Sequence, residues 1–112
     1  MFKQLSNTYK WPVTVSVPID DGKRQDIVVT ARFNRIPQSQ VDALLNQANE
    51  GKATDAEVIA KVVDALGDPV QAGFEFTAYE AADVDAFYEL PGARAAVVMA
   101  WVESLAKAKT KN

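Results

Sequence analysis

Within Ile27–Leu45 the spacing of apolar residues changes from two to about 3.6, so a strand feeds a helix through the turn at Ile36-Pro37. Upstream of this stretch the pattern is β, and downstream nearly every periodic segment is helical. Trp11–Val17 alternates, with Val13, Val15 and Val17 on one face, and Asp26–Phe33 does the same with Ile27, Val29, Ala31 and Phe33. The loop between them decides the register. A two-residue turn at Asp21-Gly22 would set Val15 against Val28 and put the two apolar sets on opposite faces. A three-residue loop, Asp20-Asp21-Gly22, instead pairs Trp11 with Ala31, Val13 with Val29 and Val15 with Ile27. The faces then coincide, and Gly22 takes the left-handed position of a G1 bulge. This second register is the one predicted. Pro12 and Pro18 suit an edge strand. Residues 1–10 lack a clear period and are expected to lead in as loosely ordered chain. A lone hairpin is marginal in water, so its apolar face is either covered by the helices, the simpler arrangement, or paired with another chain.

The helical half divides into four segments, giving an α+β fold in which an N-terminal antiparallel hairpin (about 11–33) packs against a bundle of about four α-helices. The first helix, about 38–50, has Ser39 as its expected N-cap with Asp42 three residues on, a stripe of Val41, Leu44, Leu45 and Ala48, and Gly51 as its stop. The second, about 54–66, opens with the capping-box pair Thr54 and Glu57. It carries Val58, Ile59, Val62, Val63 and Leu66, and closes at Gly67-Asp68-Pro69. A connector follows in which Phe74 and Phe76 alternate around Glu75. Thr77 and Glu80 repeat the capping spacing and open a third helix, about 78–89, with Tyr79, Ala82, Ala86, Phe87 and Leu90 inward. Its acidic flank is Glu80, Asp83 and Asp85. Pro91-Gly92 breaks the chain before a fourth helix, about 93–106, whose broad apolar side holds Ala93, Ala96, Val97, Ala100, Trp101 and Leu105. Lys107, Lys109 and Lys111 then complement the helix C-terminus.

Length and composition add bounds. With 112 residues the chain is expected to form one domain, 1–112, long enough to hide roughly two-thirds of its unfolded surface in one core. A net charge of −3 argues for solubility and against a general affinity for nucleic acid or anionic membrane. There is no Cys, which removes disulfides and thiolate chemistry, and no His, which removes the usual general base and the commonest metal ligand. Catalysis by Asp, Glu, Lys or Tyr stays formally open. The N-terminus has no signal-peptide pattern, and the longest apolar run, Ala95 to Val102, is far short of the ~20 residues of a membrane span. A cytoplasmic protein is the expectation.

Positive signs of chemistry are missing from the pattern. Gly51, Gly67 and Gly92 fall at helix stops or turns, so no phosphate-cradling loop is formed. Asp20 and Asp21 belong to a turn, and Glu80, Asp83 and Asp85 match a solvated helix face better than a Ca²⁺ loop or a carboxylate dyad. Lys23, Arg24, Arg32 and Arg35 surround the hairpin without interleaved aromatics. Trp11, Phe33, Phe87 and Trp101 are read as core. No catalytic, cofactor-binding or metal-binding residue is assigned, and no cofactor is expected. Val28, Phe74 and Phe76 are the candidate partner contacts, because they lie outside the core stripes.

Two stretches together carry a resemblance: Ala31–Leu45 following the hairpin, and Leu90–Val102, led by Pro91-Gly92. The arrangement resembles the tail assembly chaperones of long-tailed bacteriophages and prophages, and extends over nearly the whole chain in organisation. Many members have Trp-Asx-Gly where this chain has Val63-Asp64-Ala65. The resemblance implies a non-enzymatic cytoplasmic protein that binds the helical tape measure protein, keeps it soluble and helps recruit tail tube protein before being left out of the virion. A homo-oligomer through the hairpin edge or the helices is a further implied arrangement, with no nucleic-acid or membrane partner. The family often makes a longer form by ribosomal frameshifting, and Thr110-Lys111-Asn112 is compatible with a slippery A-AAA-AAC sequence. Two rivals stay open: a structural virion protein, such as a head–tail connector or minor tail component, and a host-encoded helical adaptor.

Overall fold

The computed structural model describes residues 6–69 and 75–106, and shows an α+β fold in the order β1 (Thr8–Pro18), β2 (Arg24–Asn34), α1 (Gln38–Asn49), α2 (Asp55–Val62), β3 (Val63–Gly67), α3 (Ala81–Tyr88) and α4 (Ala93–Leu105). The three strands form one antiparallel sheet, ordered β1-β2-β3. Lys107, Lys109 and Lys111, like Phe74, lie outside the described residues.

The β1–β2 register is the predicted one: Trp11 opposes Ala31, Val13 opposes Val29, Val15 opposes Ile27 and Val17 opposes Gln25. Both Asp21 (φ 65°) and Gly22 (φ 72°) are left-handed, one more residue than a G1 bulge requires. An Asp tolerates that region better than most side chains. The strand begins at Thr8 rather than Trp11. Tyr9 packs on Phe33 with ring centroids 5.7 Å apart, so the chain before Trp11 is tied to the core.

The edge of β1 is poorly suited to accept another strand. Arg35 N–H donates to Asn7 C=O (2.8 Å) and Ile19 N–H to Lys23 C=O (2.9 Å). Alternation then turns the backbone groups of even-numbered β1 residues away from β2. Two of those positions are Pro12 and Pro18, which have no N–H to offer. A third, Ser16, has its carbonyl taken by Arg24 Nη2 at 2.9 Å.

The main departure from the sequence reading is β3. The second helix stops at Val62, and Val63–Gly67 pairs with β2: Ala31 opposes Leu66, Arg32 opposes Ala65 and Phe33 opposes Val63. Asp64 is the extra residue of a bulge between Arg32 and Phe33. Without it, a carboxylate would face the core opposite Phe33. With it, Val63 takes that place and Asp64 meets Arg32 Nε at 2.7 Å on the other face. The capping box of α2 forms as predicted: Glu57 N–H donates to Thr54 Oγ1 (3.2 Å), and Thr54 N–H donates to Glu57 Oε1 (2.8 Å).

Other boundaries shift. Pro37, not Ser39, is the N-cap of α1, and Gln38 Nε2 donates to Asp42 Oδ1 (2.9 Å) instead. Ala48 is exposed. The Thr77–Glu80 box does not form, because the Thr77 carbonyl accepts from Asp68 N–H (3.4 Å) and Ala78 bridges Gly67. The third helix therefore starts at Ala81 and is rotated from the expected orientation. Val84, Phe87 and Tyr88 turn inward, and Ala82 and Ala86 are exposed.

The core lies between one sheet face and the helices. Val13, Val15, Val29, Ala31, Phe33 and Leu66 meet Val58 and Val62 of α2 and Val97, Ala100 and Trp101 of α4. Phe33, Phe87 and Trp101 are buried as expected, whereas Trp11 is only half-buried. At the far end of α4, the Tyr9 hydroxyl hydrogen-bonds Ser104 Oγ (2.7 Å), tying the helix to β1. No helix is long and apolar enough to cross a membrane among the described residues.

Candidate protein-binding surface

Val28 and Phe76 share the sheet face opposite the core. Val28 opposes Thr14 and stays 42% exposed. Phe76 is half-buried and does structural work: its ring covers Gly67, where a Cβ would come within 2.8 Å of it and would also strike the Thr77 carbonyl. The Arg32 guanidinium stands 5.0 Å from the ring centroid, held from its other side by Asp64. Val28 is therefore the more available of the two for a partner.

A larger apolar surface lies on α4. Ala93, Val97, Ala100 and Trp101 of this helix face the core. On the opposite side Met99 is 61% exposed and Val102 41%, with Ala95 exposed beside them at helical spacing. Leu105 was expected inward but is exposed at the helix end. A surface helix of a globular protein normally turns polar residues outward, and one that is apolar all round is normally enclosed. Only Arg94, Glu103 and Ser104 break the apolar sequence of α4. The signal was visible in the sequence as the uninterrupted run Ala95–Val102, once the inward stripe is subtracted from it.

Two hollows flank α3, and one of them reaches this face. The first, about 340 Å³, lies between α2–β3 and α3, with Ile59, Val63, Val84, Tyr79 and Tyr88 among its lining residues. The second, about 410 Å³, lies at the α3–α4 turn and reaches Ala95. Burial pushes the Tyr88 hydroxyl up to about 12, against the weaker opposing pull of Arg94. Its oxygen is enclosed without a hydrogen-bond partner among the described residues. Tyr79 is also raised, by burial first and then by its hydrogen bond to the Asp68 carboxylate. A separate cleft of about 490 Å³ between β1 and the end of α4 is lined by Trp11, Trp101 and Leu105 with the cations Lys10 and Arg35.

Asp20 and Asp21 occupy the hairpin turn, and Glu80, Asp83 and Asp85 lie exposed at and along α3. Among the described residues no group of three or more acidic side chains could hold a metal ion. Among the described residues Glu57 is the one carboxylate with a shifted pKa, lowered mainly by the Thr54 backbone N–H, and it serves the helix cap.

No protein-family model, curated protein or solved structure matches this chain. The surface has to be read from its own chemistry. Its distinguishing features are the apolar outer side of α4, the hollow at the α3–α4 turn that reaches Ala95, and Val28 on the free sheet face.

Proposed function

We propose that this chain is a cytoplasmic, non-enzymatic assembly chaperone of long phage or prophage tails, which binds the helical tape measure protein, keeps it soluble and helps recruit tail tube subunits. The observation that supports this reading most is the outward side of α4, where Ala95, Met99 and Val102 leave apolar surface in water. An unassembled tape measure exposes apolar helical stripes, and a second helix with an apolar outer side is suited to cover them by face-to-face packing. The hairpin, the strand-to-helix turn at Ile36-Pro37 and the helix led by Pro91-Gly92 are in keeping with the family resemblance. The blunted edge of β1 favours the helices over strand addition as the means of contact.

Co-expression with a tape measure fragment from the same gene cluster tests the proposal. The fragment should become soluble and co-purify with the chain, and Met99→Glu/Val102→Glu should sharply reduce both effects while the chain stays folded. A fragment that is equally insoluble with and without the chain would count against the reading. Detection of the chain in purified particles by mass spectrometry would favour a structural virion protein instead.

A further inference from the structure

Asp21 combines properties that no other aspartate of the chain shares. It is the only Asp or Asn followed by glycine. Among the described residues it is also the only one besides glycine with a positive φ, and it is exposed in the hairpin turn. Asp21 (φ 65°, ψ 30°) and Gly22 (φ 72°) sit as the central pair of a type I′ turn. The turn is closed by Ile19 N–H donating to Lys23 C=O (2.9 Å) and Lys23 N–H donating to Asp20 C=O (3.3 Å), and neither bond uses the Gly22 N–H. Gly22 stands in the open: apart from its chain neighbours, nothing lies within 4 Å of the place a β-carbon would take. Asp26 and Asp64 sit in strands, and Asp42, Asp55, Asp83 and Asp85 in helices, where regular structure holds the following peptide in place.

A peptide nitrogen can attack the carboxyl of the aspartate before it when no β-carbon on its own residue hinders the approach. At Asp21 the attack requires the Asp21–Gly22 peptide to rotate until its nitrogen faces the side chain. That rotation turns a type I′ turn into a type II′ turn, and both forms keep a positive φ at the first central residue and fit the same strand pair. Glycine accepts the changed φ that the rotation imposes at position 22. The fold thus holds Asp21 one peptide rotation from the reactive geometry.

We propose that Asp21 is a site of spontaneous backbone modification, where the aspartyl linkage isomerises to isoaspartyl through a cyclic imide. The Gly22 nitrogen bonds to Asp21 Cγ and gives up its proton, and the carboxyl hydroxyl departs as water. Water then adds to either carbonyl of the ring. Opening at the main-chain carbonyl breaks its bond to the Gly22 nitrogen and leaves the chain running through Cγ, whereas opening at Cγ restores aspartate. No atom is gained or lost over the cycle, and no oxidant, cofactor or enzyme takes part. The isoaspartyl chain has one more main-chain carbon in the turn, so the hairpin tip bears the change and the core does not.

The test ages the full chain for several weeks in mildly acidic buffer at body temperature. Samples are then labelled with a protein isoaspartate methyltransferase and a labelled methyl donor, and mapped by peptide. Label should grow with time in the peptide that holds Asp21, at unchanged peptide mass before methylation. Asp21→Glu, whose attack would have to close a larger ring, should abolish it. Asp21→Asn reaches the same imide by losing ammonia, and should build up label several-fold faster, together with the mass change of deamidation. A synthetic Ile-Asp-Asp-Gly-Lys peptide aged alongside serves as the unfolded comparison. Label in that peptide but not in the folded chain, label spread evenly over other aspartates, or label that survives Asp21→Glu would each overturn the assignment. Freshly prepared chain, which carries no isoaspartate, is the form used with the tape measure fragment, so the chaperone reading is judged independently of this result.

Discussion

The two sides of α4 are made of similar residues and have opposite surroundings. Ala93, Val97, Ala100 and Trp101 are enclosed by the sheet and α2, whereas Ala95, Met99 and Val102 face water across the same helix. The inner side is explained by the fold. The outer side is not, because the contact of α4 with the sheet and α2 would hold equally well with lysine and glutamate there. On that outer side folding no longer accounts for the sequence. Apolar surface of this kind stabilises nothing in the isolated chain, and its use has to be sought in association.

Truncating each side of α4 in turn separates the two most directly. Trp101→Ala should cost about 3–5 kcal/mol in denaturant unfolding, through lost burial and the cavity left behind. Met99→Ala should stay within about 0.5 kcal/mol. A large cost at Met99 would mean that its side of the helix is enclosed after all.

The sheet offers the same contrast on a smaller scale, since Phe76 closes part of its outer face. Gly67→Ala forces a Cβ against the Phe76 ring and the Thr77 backbone, and should cost about 1–3 kcal/mol. Adding Phe76→Ala to the same chain should recover only part of that loss, because the Thr77 carbonyl remains in the way. Full recovery would locate the whole conflict at the ring.

Acid should separate the capped start of α2 from the rest of the molecule. The folded pKa of Glu57 lies below 4.5, so the unfolded chain takes up that proton first as pH falls. The stability it confers is complete above about pH 4.5 and is lost as pH falls through the lower folded value. Glu57→Gln keeps the hydrogen-bonding geometry without the titration. Thermal melts should therefore converge for the two proteins in acid and diverge in favour of the wild type near neutrality. Parallel curves would remove the carboxylate from the account of this helix.

The smallest effect is expected beside the outer face. Tyr88→Phe removes an enclosed hydroxyl that has no partner, and should leave the melting temperature unchanged or slightly raised. In the wild type the stability carried by the neutral hydroxyl is complete below 10.0 and is lost as pH rises towards about 12. The variant should lack that alkaline step in phenolate absorbance. A lower melting temperature would reveal a hydrogen bond to Tyr88 in the working protein.

Residue pattern revealed most of the architecture where local signals agreed with tertiary ones. The hairpin register followed from requiring Val13, Val15, Ile27 and Val29 to share a face, and the Thr54–Glu57 box marked the start of α2. The third strand was hidden because Val58, Ile59, Val62, Val63 and Leu66 continue a helical period without interruption. What overrides that period is long-range: the open side of β2 needs hydrogen-bond partners, Val62-Val63 is a β-branched pair that tolerates extension, and a bulge keeps Asp64 out of the core. Thr77 and Glu80 show the same competition, since the backbone at Thr77 and Ala78 is already committed to Asp68 and Gly67. For the surface, Val28 could be found from alternation alone. Met99 and Val102 required knowing which side of α4 the sheet occupies, and the hollow between α2–β3 and α3 required α3 to be rotated towards Val84 and Tyr88.

The prolines of β1 have a consequence beyond the strand that contains them. Contacts made strand to strand can repeat without limit, because each added copy exposes a fresh edge of its own. Contacts made through one helix face are finished once that face is covered. With Pro12 and Pro18 on one rim, Arg24 holding the Ser16 carbonyl, and Thr77–Tyr79 bonded to Leu66 and Asp68 along the other, the sheet is a poor seed for open-ended growth. A molecule arranged this way can keep adhesive surface in solution while avoiding becoming the first unit of a fibre.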